Sequence, residues 1–210
     1  MRIGILGAGV LAAGLATVWL KAGHEVTIGA RSQGKANALA ERLGGGVRAT
    51  SPKEAVADQD VVLLAVSYEG VGEMLRSAGA EEGSLAGTPV IDATNAIGHG
   101  VGVLLTEPGT SVAEQVTDIA KGSRVVKAFH LFASTQWTAP REGESPVVAI
   151  CGDDETALER TSQLIRDVGG EPAVLGPLSR SRQLEEVAGF VIGLAFKGVD
   201  PARAMPRLGG

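Results

Sequence analysis

The chain opens MRIGILGAGVLAAG, a short apolar run broken by Gly7 and Gly9 and followed at once by the spacing of an amphipathic helix. A strand, a tight glycine turn and a helix N-terminus in that order constrain the fold more than any other stretch. Gly7 is expected to make the sharp turn, and Gly9 to let the backbone approach a ligand with no side chain in the way. Ala12 stands where a third glycine often does, small enough for close helix–strand packing. The first N–H groups of a helix opening near Val10 lack partners within the helix, and with the helix dipole they favour an anion. The arrangement predicts a cradle for the pyrophosphate of a dinucleotide, formed by Gly7, Ala8, Gly9, Val10 and Leu11.

The helix ends at Gly23, and HEVTIGAR then reads as a second strand, with Val26 and Ile28 alternating with Thr27. An acid at this strand's exit would accept a hydrogen bond from a ribose 2′-hydroxyl. No acid lies between Thr27 and Ala40; the exit carries Arg31, Ser32 and Lys35 instead. A missing carboxylate removes repulsion against a 2′-phosphate. Arg31 offers a planar fork of donors, Ser32 a hydroxyl and Lys35 a point charge. Basic residues oppose the dipole in a first helical turn, so their presence there favours a ligand over a merely solvated charge. The expected nucleotide is NADP(H).

At 210 residues the chain is expected to form one domain over 1–210, with a C-terminal extension from about 140 to 210. Net charge −5 leaves no electrostatic footprint for nucleic acid. A single cysteine, Cys151 in the apolar run PVVAICG, excludes an internal disulfide and a cysteine-based metal site, and no metal is expected. The first residues do not read as a signal peptide. The most apolar stretch, Val187 to Phe196, is too short to span a bilayer, so a cytoplasmic protein is expected.

Strands are predicted at Arg2–Leu6, Glu25–Gly29, Val47–Ala49, Asp60–Val66, Thr88–Asp92 and Ser123–Ala128, then at Pro146–Cys151 and Glu171–Leu175. Helices are predicted at Val10–Lys21, Lys35–Leu43, after Ser51-Pro52, at Val112–Ala120, at Asp154–Val168 capped by Asp153, and from Ser179 to Phe196. DVVLLAV at residues 60–66 is a continuous apolar run, the mark of a central parallel strand buried on both faces. The alternation predicts a Rossmann-type, doubly wound α/β fold. Its mostly parallel sheet is extended by two C-terminal strands and a final helix. That helix is more apolar than an exposed one should be, which points to a buried helix or the contact of a homodimer. The last dozen residues have no useful period and read as a loose tail or a partner-contacting arm.

In such a sheet the ligand lies beyond the carboxyl ends of the strands, where Gly7–Ala12, Ser67–Gly70, Ala93–Gly100 and Phe129–Trp137 converge. Ala65, Val66 and Ser67 are expected against the nucleotide, and Asn95, His130 and Phe132 against a small redox co-substrate. Reduction of a ketone needs an acid for the nascent alkoxide, and candidates are thin. Tyr68 is the only tyrosine and has no lysine four residues on. His24 falls at the wrong end of the sheet, and His99 lies in a flexible GHG turn. His130 stands just past the sixth strand beside Phe129 and Phe132. Asp92, ending the fifth strand, reads as orienting Asn95. An acceptor that is itself a conjugated ring needs only stacking and exclusion of water, which small residues with His130, Leu131 and Phe132 suit better.

The segments GILGAGVLAAGLA, KAGHEVTIGARS, VVKAFHLFAS and CGDDETALERTSQLIRDVGGEPAVLGPLSRSRQLE resemble the NADPH-dependent reductases of the deazaflavin coenzyme F420, the F420H2:NADP oxidoreductase family. The resemblance implies that Ala8 to Leu11, Arg31 and Lys35 hold NADP(H). It also implies that the loop with His130, Phe132 and Ser134 lines the contact between nicotinamide and deazaflavin. The chain departs from the family's pattern at Ala30, where a Ser is frequent, and at Ser67-Tyr68, where many members carry Pro and an aromatic. Three activities therefore stand open. One is hydride exchange between NADP(H) and coenzyme F420. Another is NADPH-dependent reduction of a small carbonyl or imine, with Tyr68 or His130 as the proton donor. The third is a non-enzymatic NADP-sensing module.

Overall fold

The computed structural model describes residues 1–139, 143 and 145–205. In chain order its main elements are β1 (Arg2–Leu6), α1 (Val10–Lys21), β2 (Glu25–Gly29), α2 (Gln33–Leu43), β3 (Arg48–Thr50), α3 (Pro52–Ala55), β4 (Val61–Leu64), α4 (Val71–Ser77), β5 (Pro89–Asp92), α5 (Val112–Ile119), β6 (Arg124–Lys127), α6 (Thr135–Thr138), β7 (Val147–Gly152), α7 (Glu155–Asp167), β8 (Glu171–Gly176) and α8 (Ser181–Phe196). The strands form one sheet in the order β3-β2-β1-β4-β5-β6-β7-β8. The first six run parallel, β7 runs antiparallel to β6, and β8 runs parallel to β7. This is the doubly wound α/β sheet that the sequence pattern predicts. The strand order reverses between β1 and β4, which places the crevice for a ligand at the exits of those two strands.

Alternation along the strands divides the apolar side chains between two layers. Ile3, Ile5, Val61 and Leu63 pack with Leu15 and Trp19 of α1, Leu39 of α2 and Leu164 and Ile165 of α7. Leu6, Val62, Leu64 and Val90 face the other way, onto Met74 and Leu75 of α4 and Val112 and Val116 of α5. Among the described residues between β6 and β7 the chain forms the four-residue α6, and β7 returns antiparallel beside β6. That return brings the start of β7 to the same edge of the sheet as the exit of β6.

Several helix starts differ from expectation. Ser32 caps α2 by accepting from the Lys35 N–H, so this helix opens at Gln33, two residues before the predicted Lys35. The cap of α7 is Asp154, which accepts from the Ala157 N–H; Asp153 instead accepts from the Leu178 N–H and ties β7's exit to the turn before α8. Ser179 is no cap either. It lies in a 3-10 turn, α8 opens at Ser181, and the Ser181 hydroxyl hydrogen-bonds Ser111 at 2.7 Å. Adjacent acids and serines offered several caps, and long-range bonds selected among them. Helices α4 and α6 had no counterpart in the sequence reading. Of the tail, Pro201–Ala204 makes a 3-10 turn and residues 206–210 lie outside those described.

Candidate functional site

The turn from β1 into α1 forms the floor of a cleft of about 540 Å³. Gly7 takes φ +133°, and a Cβ there would stand 2.2 Å from the Ala65 carbonyl oxygen, so only glycine fits between the two strand exits. Gly9 differs: its φ is −86° and a Cβ on it would meet nothing within 4 Å. Gly9 is also the N-cap of α1, with no side-chain cap and no acid in the first turn. The open N–H groups and dipole of a twelve-residue helix are thus left to an outside anion. The remaining walls are Ala8, Ala30, Arg31, Ser32, Lys35, Ala65, Val66, Ser67, Glu73 and Met74. Two basic side chains, uncapped N–H groups and a glycine with free space in front of it fit a phosphorylated dinucleotide.

Not every residue expected there lines the cleft. Val10 is 75% exposed on the first turn of α1, while Leu11 packs against the core. Ser134 lies on the flank of α1 against Gly14, its backbone oxygen 3.2 Å from where a Cβ on Gly14 would stand. Tyr68 is half-buried in a 3-10 turn and packs on the α4–α5 side of the sheet. Ser32 does line the cleft, but its hydroxyl also caps α2.

A second cleft, of about 240 Å³, opens beside the exit of β6. Its walls are apolar for the most part: Phe129, Leu131 and Phe132 from the loop, Val147, Val148 and Ala149 from β7, and Leu175, Leu184 and Val187 from β8 and α8. Phe129 turns the chain off β6 in the left-handed region, φ +60°, which is costly for a large side chain. Its ring is held edge-on between Trp19 and Trp137. His130 follows, 7% exposed, with Nδ1 buried and without a partner. Burial, reinforced by the nearby Lys127 charge, lowers its pKa to about 3, so the imidazole is neutral at physiological pH. Asn95 does not face an acid; its Nδ2 donates to the His130 carbonyl at 2.5 Å, joining the loop after β5 to the loop after β6.

Beneath this loop lies a polar network that the sequence reading missed. Lys127, Asp92 and Glu185 are all completely buried. The Lys127 ammonium donates to Asp92 at 2.9 Å, to Glu185 at 2.8 Å and to the Thr94 carbonyl at 2.6 Å. Glu185 also accepts from the N–H groups of Val112 and Ala113 at the start of α5. Asp92, read as a partner of Asn95, instead holds Lys127 and the Thr94 N–H and hydroxyl. A signal was present: a lysine in the apolar strand SRVVKA must find a buried counter-charge. The other predicted candidates lie away from both clefts. His24 bonds Asp167 at the opposite edge of the sheet, and the His99 ring sits edge-on to Phe196. Cys151 is buried, which pushes its thiol pKa up. Among the described residues there is no cluster able to hold a metal ion, and no helix is long and apolar enough to cross a membrane.

Residues 2–96, which contain the glycine turn, Arg31, Lys35 and the β4 exit, match the sequence family described as NADP oxidoreductase, coenzyme F420-dependent. Over those residues the chain is similar to the coenzyme F420-dependent NADP oxidoreductases. An F420-dependent NADP reductase of Methanocaldococcus jannaschii is 29% identical over 212 residues, covering 94% of this chain and 93% of the relative. The metalloreductase STEAP3 of Rattus norvegicus is also 29% identical, over 187 residues. This chain spans only 36% of that protein's length. A crystal structure from Arthrobacter sp. FB24, assigned to the F420-dependent NADP reductases, superposes with a TM-score of 0.81 at 23% identity, covering 95% of this chain and 96% of that one. At that identity the superposition speaks for the fold. The family match ends at Ala96, so the second cleft is built from residues beyond it.

Proposed function

We propose that this oxidoreductase moves a hydride between NADP(H) and the deazaflavin coenzyme F420, with NADP(H) in the first cleft and the flat apolar acceptor at the second. The observation that carries the reading is the contrast between the two clefts at the carboxyl edge of one sheet. The first is basic and glycine-floored; the second is apolar and bordered by a neutral histidine. When bound, the nicotinamide supplies the hydride, and with one proton the balance is oxidised F420, NADPH and H⁺ giving reduced F420 and NADP⁺.

The chain's own part is to bind, orient and exclude water. Gly9 and the open turn of α1 take the pyrophosphate, and Arg31 and Lys35 take the 2′-phosphate. Ala65, Val66 and Ser67 keep the β4 exit low enough for the nucleotide to pass. His130 borders the cleft as a neutral imidazole and has no proton to give up to the acceptor. Phe132 and Leu131 keep the cleft dry. A ketone reductase would need a side-chain acid for the nascent alkoxide, and neither Tyr68, off both clefts, nor the neutral His130 supplies one.

The test is to mix the protein with NADPH and oxidised F420 and follow the bleaching of the deazaflavin. Turnover that is lost in Arg31→Ala at low NADPH, and regained at high NADPH, is the expected result. NADPH binding without bleaching, together with oxidation of NADPH by a small imine or ketone, would overturn the acceptor half.

A further inference from the structure

The first cleft contains a carboxylate that an NADP site does not call for. Glu73, in the first turn of α4, forms an ion pair with Arg31 across the cleft. The two belong to different walls, Arg31 to the exit of β2 and Glu73 to the helix after β4. The guanidinium reaches so far over that its Nη2 lies 3.5 Å from where a Cβ on Gly70 would stand. Val71, Met74 and Leu75 are buried and pin α4 to the sheet. Glu73 can therefore swing its side chain but cannot carry its backbone away.

Resting on the reading of this cleft as the NADP(H) site, we infer that Glu73 is a built-in competitor for Arg31, displaced by the 2′-phosphate when the nucleotide binds. In the empty cleft it keeps the long Arg31 side chain ordered. On binding, the phosphate takes its place on the guanidinium, and the carboxylate is left beside like charge. It thus weakens the hold on NADP(H) and speeds its release, while a nucleotide with a bare 2′-hydroxyl never engages it. Glu73 is a positioning and affinity-setting residue, acting through Arg31 and not on the reacting atoms. Both side chains are about half exposed, so water screens the competition and its size is modest.

The experiment compares wild type, Glu73→Gln, Arg31→Ala and the double variant by calorimetric titration with NADPH and with NADH at low and high salt. Glu73→Gln is expected to lower the Kd for NADPH by about three- to tenfold, to move the Kd for NADH by less than about twofold, and to lose most of the gain at high salt. In the Arg31→Ala background the same change should have little further effect on NADPH. A Glu73→Gln protein that binds NADPH no better than wild type, or more weakly, overturns the competitor and points to a carboxylate that contacts the adenine. An unchanged effect in the Arg31→Ala background overturns the route through Arg31. A wild-type protein that fails to bind NADPH at all overturns the reading of the cleft itself, and the competitor with it.

Discussion

The two glycines of the opening turn make a paired prediction, because one is required by the fold and the other by the ligand. At Gly7 an alanine would have to adopt φ +133° and place Cβ 2.2 Å from the Ala65 carbonyl oxygen and 2.9 Å from its carbon. Neither atom yields easily, since the Ala65 N–H is bonded to the Leu6 carbonyl at 2.9 Å. The disallowed backbone costs roughly 1–3 kcal/mol, and the forced separation of β1 from β4 adds to it. Gly7→Ala should therefore lose about 3 kcal/mol or more and lower the Tm by roughly 6–12 °C. At Gly9, with φ −86° and no atom within 4 Å of a Cβ, alanine fits the empty protein. A poorer N-cap costs up to about 1 kcal/mol, and the lower entropy of the unfolded chain returns roughly 0.4–1 kcal/mol. The Tm should stay within about 3 °C of wild type.

Binding should sort the two glycines the other way. The methyl of Gly9→Ala enters the space where the backbone would meet the pyrophosphate, and about 2 kcal/mol of lost contact is roughly a thirtyfold weaker Kd for NADPH. Thermal unfolding with and without NADPH reads both quantities in one assay, because a bound nucleotide raises the Tm. A Gly9→Ala protein that is as stable as wild type and still shifts fully with NADPH would refute the placement of the nucleotide over this turn. A Gly7→Ala protein of wild-type Tm would refute the steric argument.

Two further outcomes follow from buried charge. Lys127→Met leaves Asp92 and Glu185 buried without their cation and should cost about 3–5 kcal/mol in urea unfolding; a loss below about 1 kcal/mol would refute the network's role. His130 has an ordinary pKa of 6.5 unfolded and about 3 folded, so the unfolded chain binds more protons throughout that window. Stability is unaffected by this residue above pH 6.5 and falls below it, by about 1.4 kcal/mol per pH unit down to about pH 3. His130→Phe should remove that slope from the acid limb, and equal acid slopes in variant and wild type would refute the neutral imidazole.

The first cleft was legible in the sequence because its parts are local. Gly7 and Gly9 lie in one turn, and Arg31 and Lys35 lie within one turn of each other at the next strand exit, so spacing alone brings them together. What the chain builds from distant pieces was not legible. Glu73 meets Arg31 from 42 positions away, on a helix whose apolar pattern is only seven residues long. Asp153-Asp154 and Ser179 to Ser181 offered rival caps, and the choice rested on bonds to Leu178 and Ser111 that no local rule contains. The second cleft depends on β7 returning antiparallel beside β6, a pairing that no local pattern contains.

The buried lysine explains how walls drawn from such separate parts of the chain keep their places. Lys127 is the last residue of β6, three positions before His130. Its bond to the Thr94 carbonyl fixes the loop after β5, and Asn95, the next residue, carries that constraint to the His130 carbonyl. Its bond to Glu185 fixes α8 at the point flanked by Leu184 and Val187, which face the second cleft. A purely apolar contact could bury the same area, yet it would leave these elements free to slide, because hydrophobic packing has little directional preference. Charge-assisted hydrogen bonds in a dry interior have no such freedom, since each lost contact strands a buried charge. The network beneath His130 therefore holds the loop, the helix and the β5 exit in one register, and the apolar cleft above it can remain free of polar side chains other than His130 and Gln183.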